Sequence, residues 1–246
     1  MRNFFIVGAQ RCSTTWLYEM LNAHPEIQMN PQVRPEPKYF LNQDSVDCAS
    51  SYFESVFPFQ ILSRSMIYGE KSTSYIESYD AAVRIKKTFP TAKIVVLLRD
   101  PVKRALSNFK FSIDNGLETR SCLDAILERK DKPTLEHTFS TDPFNYLQRG
   151  KYEKYLEMYF SLFSKENIGI FCQESITKNI DDLQSVYRYL SVDSHFEPER
   201  YETIHNKAES PSDSIIISSL YSELKGYYEP TYEYVSKFID ISSWMR

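Results

Sequence analysis

Glycine is scarce in this sequence, 6 in 246 residues. A multi-glycine dinucleotide-binding fingerprint cannot be hidden among so few, so that class of protein is excluded and each glycine merits inspection. Cysteine is scarce too. The four, at positions 12, 48, 122 and 172, fit no CxxC or Cys/His zinc spacing. Thiols scattered in this way read as reduced and cytosolic, with two disulfides as the alternative. No apolar run reaches the roughly 18–20 residues of a membrane-spanning helix. Excess positive charge is missing as well: Lys+Arg is 29 against 33 Asp+Glu, net −4, so nothing overall favours nucleic acid or an anionic membrane. The N-terminal apolar run, Phe4–Val7, stops at Gly8, short of the about 7–15 residues of a secretory signal. The expectation is a first strand and a cytoplasmic protein.

What is present is ordinary globular composition, 42% hydrophobic and 25% charged, which excludes disorder and collagen-like architecture. Three short, continuously apolar runs, Phe4–Val7, Ile94–Leu98 and Ile168–Phe171, read as strands buried on both faces of a parallel sheet. Each is followed by a helical pattern: Thr14–Asn22, Val102–Ile113 and Ile180–Leu190. Further helices are expected at Ala49–Val56, Glu77–Phe89, Lys151–Phe163 and 213–227, with Pro230 opening a last one and a strand at Ile67–Lys71. Between the first two strands the chain is Pro-, Gln- and Asn-rich and reads as irregular. Strand–helix alternation predicts an α/β fold, a central parallel sheet flanked by helices in three layers. No repeat or Pro/Gly linker divides the chain, so residues 1–246 read as one domain.

Gly8-Ala9-Gln10-Arg11-Cys12-Ser13-Thr14-Thr15 lies between a buried strand and a helix. At such a junction free backbone N–H groups and the positive end of the helix dipole form an anion site. Gly8 permits a sharp turn, Arg11 supplies a charge and three hydroxyl residues add donors. The bland reading is a strand–turn–helix with Ser13 or Thr14 as N-cap. It is not a nucleoside triphosphatase loop: counted from Gly8, Ser13 stands where the second Gly belongs and Thr14 where the Lys belongs. The segment resembles the 5′-phosphosulfate loop of sulfotransferases that use 3′-phosphoadenosine-5′-phosphosulfate (PAPS), and Leu21-Asn22-Ala23-His24-Pro25 resembles its continuation. Most members have Lys where this chain has Arg11; tyrosylprotein sulfotransferases are similar in using Arg. The family's usual Gly before the first Thr is Ser13 here. The resemblance implies that Arg11, Cys12, Ser13, Thr14, Thr15 and Trp16 bind the donor's phosphosulfate.

Arg99-Asp100-Pro101-Val102-Lys103-Arg104-Ala105-Leu106-Ser107 follows the second strand. Pro101 suits a first helical turn, and an Arg able to fork onto two oxygens plus a hydroxyl is a reasonable phosphate clamp. Ser107 shares a surface with Arg99 only if the chain folds back between them. Read alone, Lys103 and Arg104 mark a solvated basic helix face. Read with the first loop, R-x-P-x-x-R-x-x-S is similar to the 3′-phosphate motif of the same family and implies Arg99 and Ser107 as ligands. Lys207, in His205-Asn206-Lys207, falls where the family places a late loop over the same phosphate.

Sulfonate transfer needs a base for the acceptor's proton and cations for the charge that builds on the leaving oxygen, and no metal ion is expected. Glu36-Pro37-Lys38-Tyr39-Phe40 offers a carboxylate and an ammonium two residues apart, on one side of an extended segment. It resembles the E-x-[HK]-x-F segment of heparan-sulfate-type sulfotransferases, which implies Glu36 as base and Lys38 as its partner. Gly69-Glu70-Lys71-Ser72-Thr73-Ser74-Tyr75 is similar to that branch's G-E-K-[ST]-x-x-Y, implying Lys71 in the active site. With Arg11, the catalytic set is Glu36, Lys38 and Lys71; His24 and His205 are alternative bases, His24 the more structural. Arg149-Gly150-Lys151-Tyr152 resembles a cleft-lining segment, and Tyr39, Phe40, Phe144 and Tyr146 are candidates to stack on adenine or acceptor.

The expectation is therefore transfer of a sulfonate from PAPS, leaving the desulfonated product PAP. Net acidity disfavours a long polyanionic acceptor and points to a small molecule, with a modest carbohydrate as alternative. A P-loop kinase and a non-catalytic nucleotide-binding module are the other readings. Nothing in the sequence bears on oligomeric state.

Overall fold

The computed structural model describes residues 1–42, 44, 47–58, 63–134, 142–201 and 214–245. Its elements are β1 (Arg2–Gly8), α1 (Thr14–Asn22), β2 (Ile27–Met29), α2 (Ala49–Val56), β3 (Ile67–Lys71), α3 (Tyr79–Thr88), β4 (Lys93–Leu98), α4 (Pro101–Asp114), α5 (Cys122–Ile126), α6 (Tyr152–Leu162), β5 (Ile168–Cys172), α7 (Gln173–Ile176), α8 (Ile180–Leu190), α9 (Ser214–Tyr227) and α10 (Glu229–Val235). The chain forms two compact units, one of Met1–Leu98 with Tyr155–Lys207, the other of Arg99–Lys154 with Ala208–Arg246. Among the described residues no helix is long and apolar enough to cross a membrane.

The first unit holds a five-stranded, all-parallel sheet in the order β2-β3-β1-β4-β5. β1 and β4 are internal strands, which is why both read as unbroken apolar runs. Phe5 of β1 packs against Phe40, Tyr52 and Phe89, each ring centroid 5.8 Å away, in an aromatic cluster that α2 and α3 help to build. From β1 the chain runs outward to β2 and returns through β3, whereas from β4 it runs to β5 on the other side. Strand connections thus diverge at the C-terminal ends of β1 and β4, where ligands bind in open α/β sheets.

Two expectations about strands need correction. The irregular stretch after α1 contains β2, which the sequence does not mark because three residues, Ile27-Gln28-Met29, carry no period; the strand exists by pairing with β3. β5 is an edge strand, so Ile170 and Phe171 are only half-buried instead of covered on both sides. Gly69 sits in the middle of β3, where an added Cβ would lie 2.2 Å from Phe4 and 2.5 Å from Met29 on the flanking strands. β3 is itself unusual: all five residues of Ile67-Tyr68-Gly69-Glu70-Lys71 are buried, a carboxyl and an ammonium among them. Buried charge must find partners, and those partners define the site.

The second unit forms around α4. Asp100 caps it by accepting from the Val102 amide at 2.9 Å, Pro101 opens it, and Gly116, at φ 68°, follows its end. The chain turns out of β4 at Arg99 and Asp100, and the helix is continuous from Pro101 to Asp114 with Ser107 in its second turn. Arg104 is fully buried, which corrects the reading of Lys103 and Arg104 as a solvated face. Its guanidinium donates to the Tyr146 carbonyl and, at 3.3 Å, to Asn108 Oδ1.

Candidate active site

The loop after β1 alternates backbone handedness. Arg11 and Ser13 adopt left-handed φ values of 68° and 58°, and α1 starts at Thr14. Successive amides in such a turn converge into an anion-binding concavity, and the α1 N-terminus adds its dipole. Ser13 occupies the N-cap position but its side chain makes no capping hydrogen bond, contrary to the bland reading. Arg11 is exposed, Ser13 and Thr15 half-buried, and Cys12, Thr14 and Trp16 buried. Gly8 serves close packing: a Cβ would meet Ile76 at 2.8 Å.

A left-handed Ser is costly where Gly is not. Ser13→Gly is therefore expected to raise stability by up to about 1 kcal/mol, net of the extra chain entropy glycine brings. Urea unfolding measures this; a lowered midpoint at unchanged slope contradicts it.

Beyond β3 the buried charges find their partners. Lys71 Nζ donates to Glu36 Oε1 at 2.5 Å, with the two side chains 4% and 15% exposed. The other donors to this carboxylate are the Thr73 amide, 2.9 Å from Oε2, and the Thr73 hydroxyl, 3.0–3.1 Å from both oxygens. Glu36 and Lys71 are thus brought together across 35 positions of sequence. Lys38 takes a different part. It breaks the extended segment with φ 51°, so the expected arrangement of Glu36 and Lys38 on one side of an extended segment is not met. Its amide donates to Ser72 Oγ at 2.9 Å.

Spacing does not mark Thr73, Ser72 and Glu70 as site residues, although all lie beside Lys71 in Gly69-Glu70-Lys71-Ser72-Thr73. Glu70 Oε1 accepts from Ser72 Oγ at 2.6 Å and from Tyr75 Oη at 2.7 Å. Burial pushes its carboxyl up to about 7, against the opposing pull of those hydroxyls. These residues lie on either side of the end of β3, and their spacing in sequence carries no period to find them by.

In the second unit Arg99 is half-buried and its backbone is held on both sides. Tyr152 Oη donates to the Arg99 carbonyl at 2.8 Å, and Asp100, fully buried, accepts from Tyr221 and, at 3.2 Å, from Tyr232. Ser107 is half-buried on α4. Arg149 and Gly150 form a buried 3-10 turn ahead of α6. Lys207 and His205 lie outside the described residues. His24 is structural: Nδ1 accepts from the Glu26 amide at 3.1 Å, so Nε2 carries the proton it gives to the Asp193 carbonyl at 2.9 Å. Tyr39, Phe40, Phe144 and Tyr146 are all buried core residues rather than open stacking platforms.

The profile of the sulfotransferase domain matches residues 1–238. The chain belongs to the sulfotransferase-domain family. Mouse heparan sulfate glucosamine 3-O-sulfotransferase 5 is 25% identical over 197 residues, covering 76% of this chain and 52% of that enzyme. The chain spans from about an eighth to about half the length of the curated relatives it matches. Among solved structures, a sulfotransferase from Alicyclobacillus acidocaldarius superposes with TM-score 0.76 at 22% identity, covering 100% of this chain and 99% of that one. A mouse sulfotransferase crystallised in complex with PAP gives TM-score 0.50 at 16% identity, covering 91% and 66%. These two likenesses establish the sulfotransferase fold, and the all-parallel sheet agrees with the α/β architecture expected.

The residues of the β1 loop fit a phosphosulfate group. The uncapped α1 start and the left-handed pair Arg11 and Ser13 form a cradle for oxygen atoms, with a guanidinium in the same turn.

Proposed function

We propose that this chain transfers a sulfonate group from PAPS to a hydroxyl or amine of a small acceptor, and that residues 1–246 act as one cytoplasmic sulfotransferase domain. The observation that carries the reading is the buried Lys71–Glu36–Thr73 cluster at the C-terminal end of β3, the strand paired with β1, whose own C-terminus leads into the anion cradle. When bound, PAPS supplies the sulfonate and leaves as PAP. The amides of Arg11–Thr15 with the Arg11 side chain hold its phosphosulfate end; Cys12 and Trp16, both buried, fix the loop from beneath. By the resemblance, Arg99 and Ser107 of the second unit are assigned the 3′-phosphate, as is Lys207, which lies outside the described residues. Glu36 accepts the acceptor's proton on a carboxylate oriented by the Thr73 amide and hydroxyl. Lys71, paired with that carboxylate, is assigned the charge that builds on the transferring group, with Lys38, two residues along from Glu36, as a second ammonium.

A kinase reading has little support, because the β1 loop has no Lys at the position triphosphate chemistry needs. A glycan acceptor is favoured by one observation, the similarity to a heparan sulfate glucosamine 3-O-sulfotransferase. Against it stands the net charge of −4, poorly suited to a polyanionic chain.

A mass-spectrometric screen of hydroxyl- and amine-bearing acceptors with PAPS tests the proposal. The expected result is an acceptor heavier by one SO3, formed with stoichiometric PAP and insensitive to chelators. PAP binding without transfer to any acceptor, small or glycan, overturns it in favour of a binding module; transfer only to glycans overturns the small-acceptor part.

A further inference from the structure

We infer that Glu70 is a positioning residue for the catalytic segment Glu36–Phe40, acting through the hydroxyls of Ser72 and Tyr75. The inference rests on the reading of Glu36 as the base. One buried oxygen, Glu70 Oε1, takes the protons of both hydroxyls, at 2.6 Å and 2.7 Å. A hydroxyl committed as a donor in one direction presents its lone pairs in the other. Those lone pairs accept backbone amides: Lys38 N–H on Ser72 Oγ at 2.9 Å, and Phe40 N–H on Tyr75 Oη at 3.0 Å. Two parallel relays therefore run from one carboxylate oxygen to alternate amides of the segment that carries Glu36 and Lys38.

The segment needs such a hold. Lys38 is a non-glycine residue with φ 51°, a conformation that persists only where surroundings impose it. Neighbouring residues of a strand point to opposite faces, so Glu70 and Lys71 leave β3 in opposite directions. Lys71 grips the Glu36 side chain, while Glu70, through its hydroxyls, grips the backbone two and four residues later.

Glu70 is a poor stabiliser for its own sake. It is fully buried, and its second oxygen has no hydrogen bond of good geometry among the described residues, although the Tyr52 hydroxyl lies near enough to ease its carboxylate form. A carboxyl so placed is unfavourable unless it enforces a geometry. What it enforces is the direction of two hydroxyls, and for that an acceptor is required, not a charge. Ser72 and Tyr75 without it are free to turn their protons elsewhere and release the amides of residues 38 and 40.

The test compares Glu70→Leu, Glu70→Gln and Glu36→Gln in the full chain, reading kcat with PAPS and the best acceptor, and PAP affinity by calorimetry. Glu70→Leu should lower kcat by roughly 10- to 100-fold, the scale of an ångström-sized misplacement, with PAP affinity within about two-fold of wild type. Glu70→Gln keeps a carbonyl acceptor and should restore kcat to within about three-fold of wild type. Wild-type turnover in Glu70→Leu overturns the inference. So does a Glu70→Gln that falls as far as Glu70→Leu, because charge or a proton would then be the working property. Should Glu70→Leu not fold, Ser72→Ala combined with Tyr75→Phe cuts both relays from the other end; it should show the same loss, and wild-type kcat there overturns the inference equally. Turnover that survives Glu36→Gln removes the base and this inference with it, whereas an inactive Glu36→Gln beside a fully active Glu70→Leu removes the positioning role alone.

Discussion

Glu36→Gln is expected to lower turnover by roughly 10²–10⁴-fold, the usual worth of a positioned general base, while PAP affinity stays near wild type. Glutamine preserves shape and can still accept from the Thr73 amide and hydroxyl, but it cannot take up the acceptor's proton at neutral pH. The substitution has a second consequence. Lys71 is 4% exposed and loses its anionic partner, and leaving one member of a buried pair unmatched costs about 3–5 kcal/mol. A stability loss could therefore be mistaken for a chemical one. The double variant Glu36→Gln/Lys71→Met separates them, because replacing both members by neutral groups of similar volume relieves most of the penalty. The double variant should melt near wild type, which traces any stability loss of Glu36→Gln to the unmatched Lys71; the base itself is read from turnover of folded Glu36→Gln, since Lys71 is also in the catalytic set. Turnover at the wild-type rate in folded Glu36→Gln would sink the base assignment.

Arg99→Ala should weaken PAP binding by about 1–3 kcal/mol, or roughly 5- to 150-fold in Kd. The backbone argues for an effect at the upper part of that range. The Arg99 carbonyl is held by Tyr152, and the next residue, Asp100, is a buried helix cap that accepts from two tyrosines. A guanidinium on so restrained a backbone loses little further freedom when it engages a phosphate. Arg99→Lys should recover only part of the affinity, since an ammonium cannot fork onto two phosphate oxygens. Equal affinity of Arg99→Ala and wild type in calorimetry would remove the 3′-phosphate role.

Ordering of elements was legible in the sequence because it depends on short-range pattern. The continuous apolar runs at Phe4–Val7 and Ile94–Leu98 became internal strands, and Thr14–Asn22, Ala49–Val56 and Ile180–Leu190 became helices with those bounds. The strand–turn–helix junction after β1 was legible for the same reason: strand, turn residues and helix start are contiguous. Family membership was legible too, because several short motifs recur in one order along the chain.

Partnership across the chain was not legible. Sequence spacing placed Lys38 beside Glu36, but the fold puts Lys71 there, 35 residues away, because β3 ends where the 36–40 segment crosses it. Thr73 and Glu70 joined the site for the same reason, and β2 became a strand only through pairing with β3. Arg104 looked like one more exposed cation until the Tyr146 carbonyl and Asn108 enclosed it. Glycine scarcity, read at first only as an exclusion, takes its meaning here as well: Ser13 does in a left-handed turn what a glycine would do without strain. Local composition and period determine which elements form and in what order. Which charges meet is decided by hydrogen-bonded strand pairing and close packing, which bring distant residues within 3 Å of one another and leave no trace in spacing.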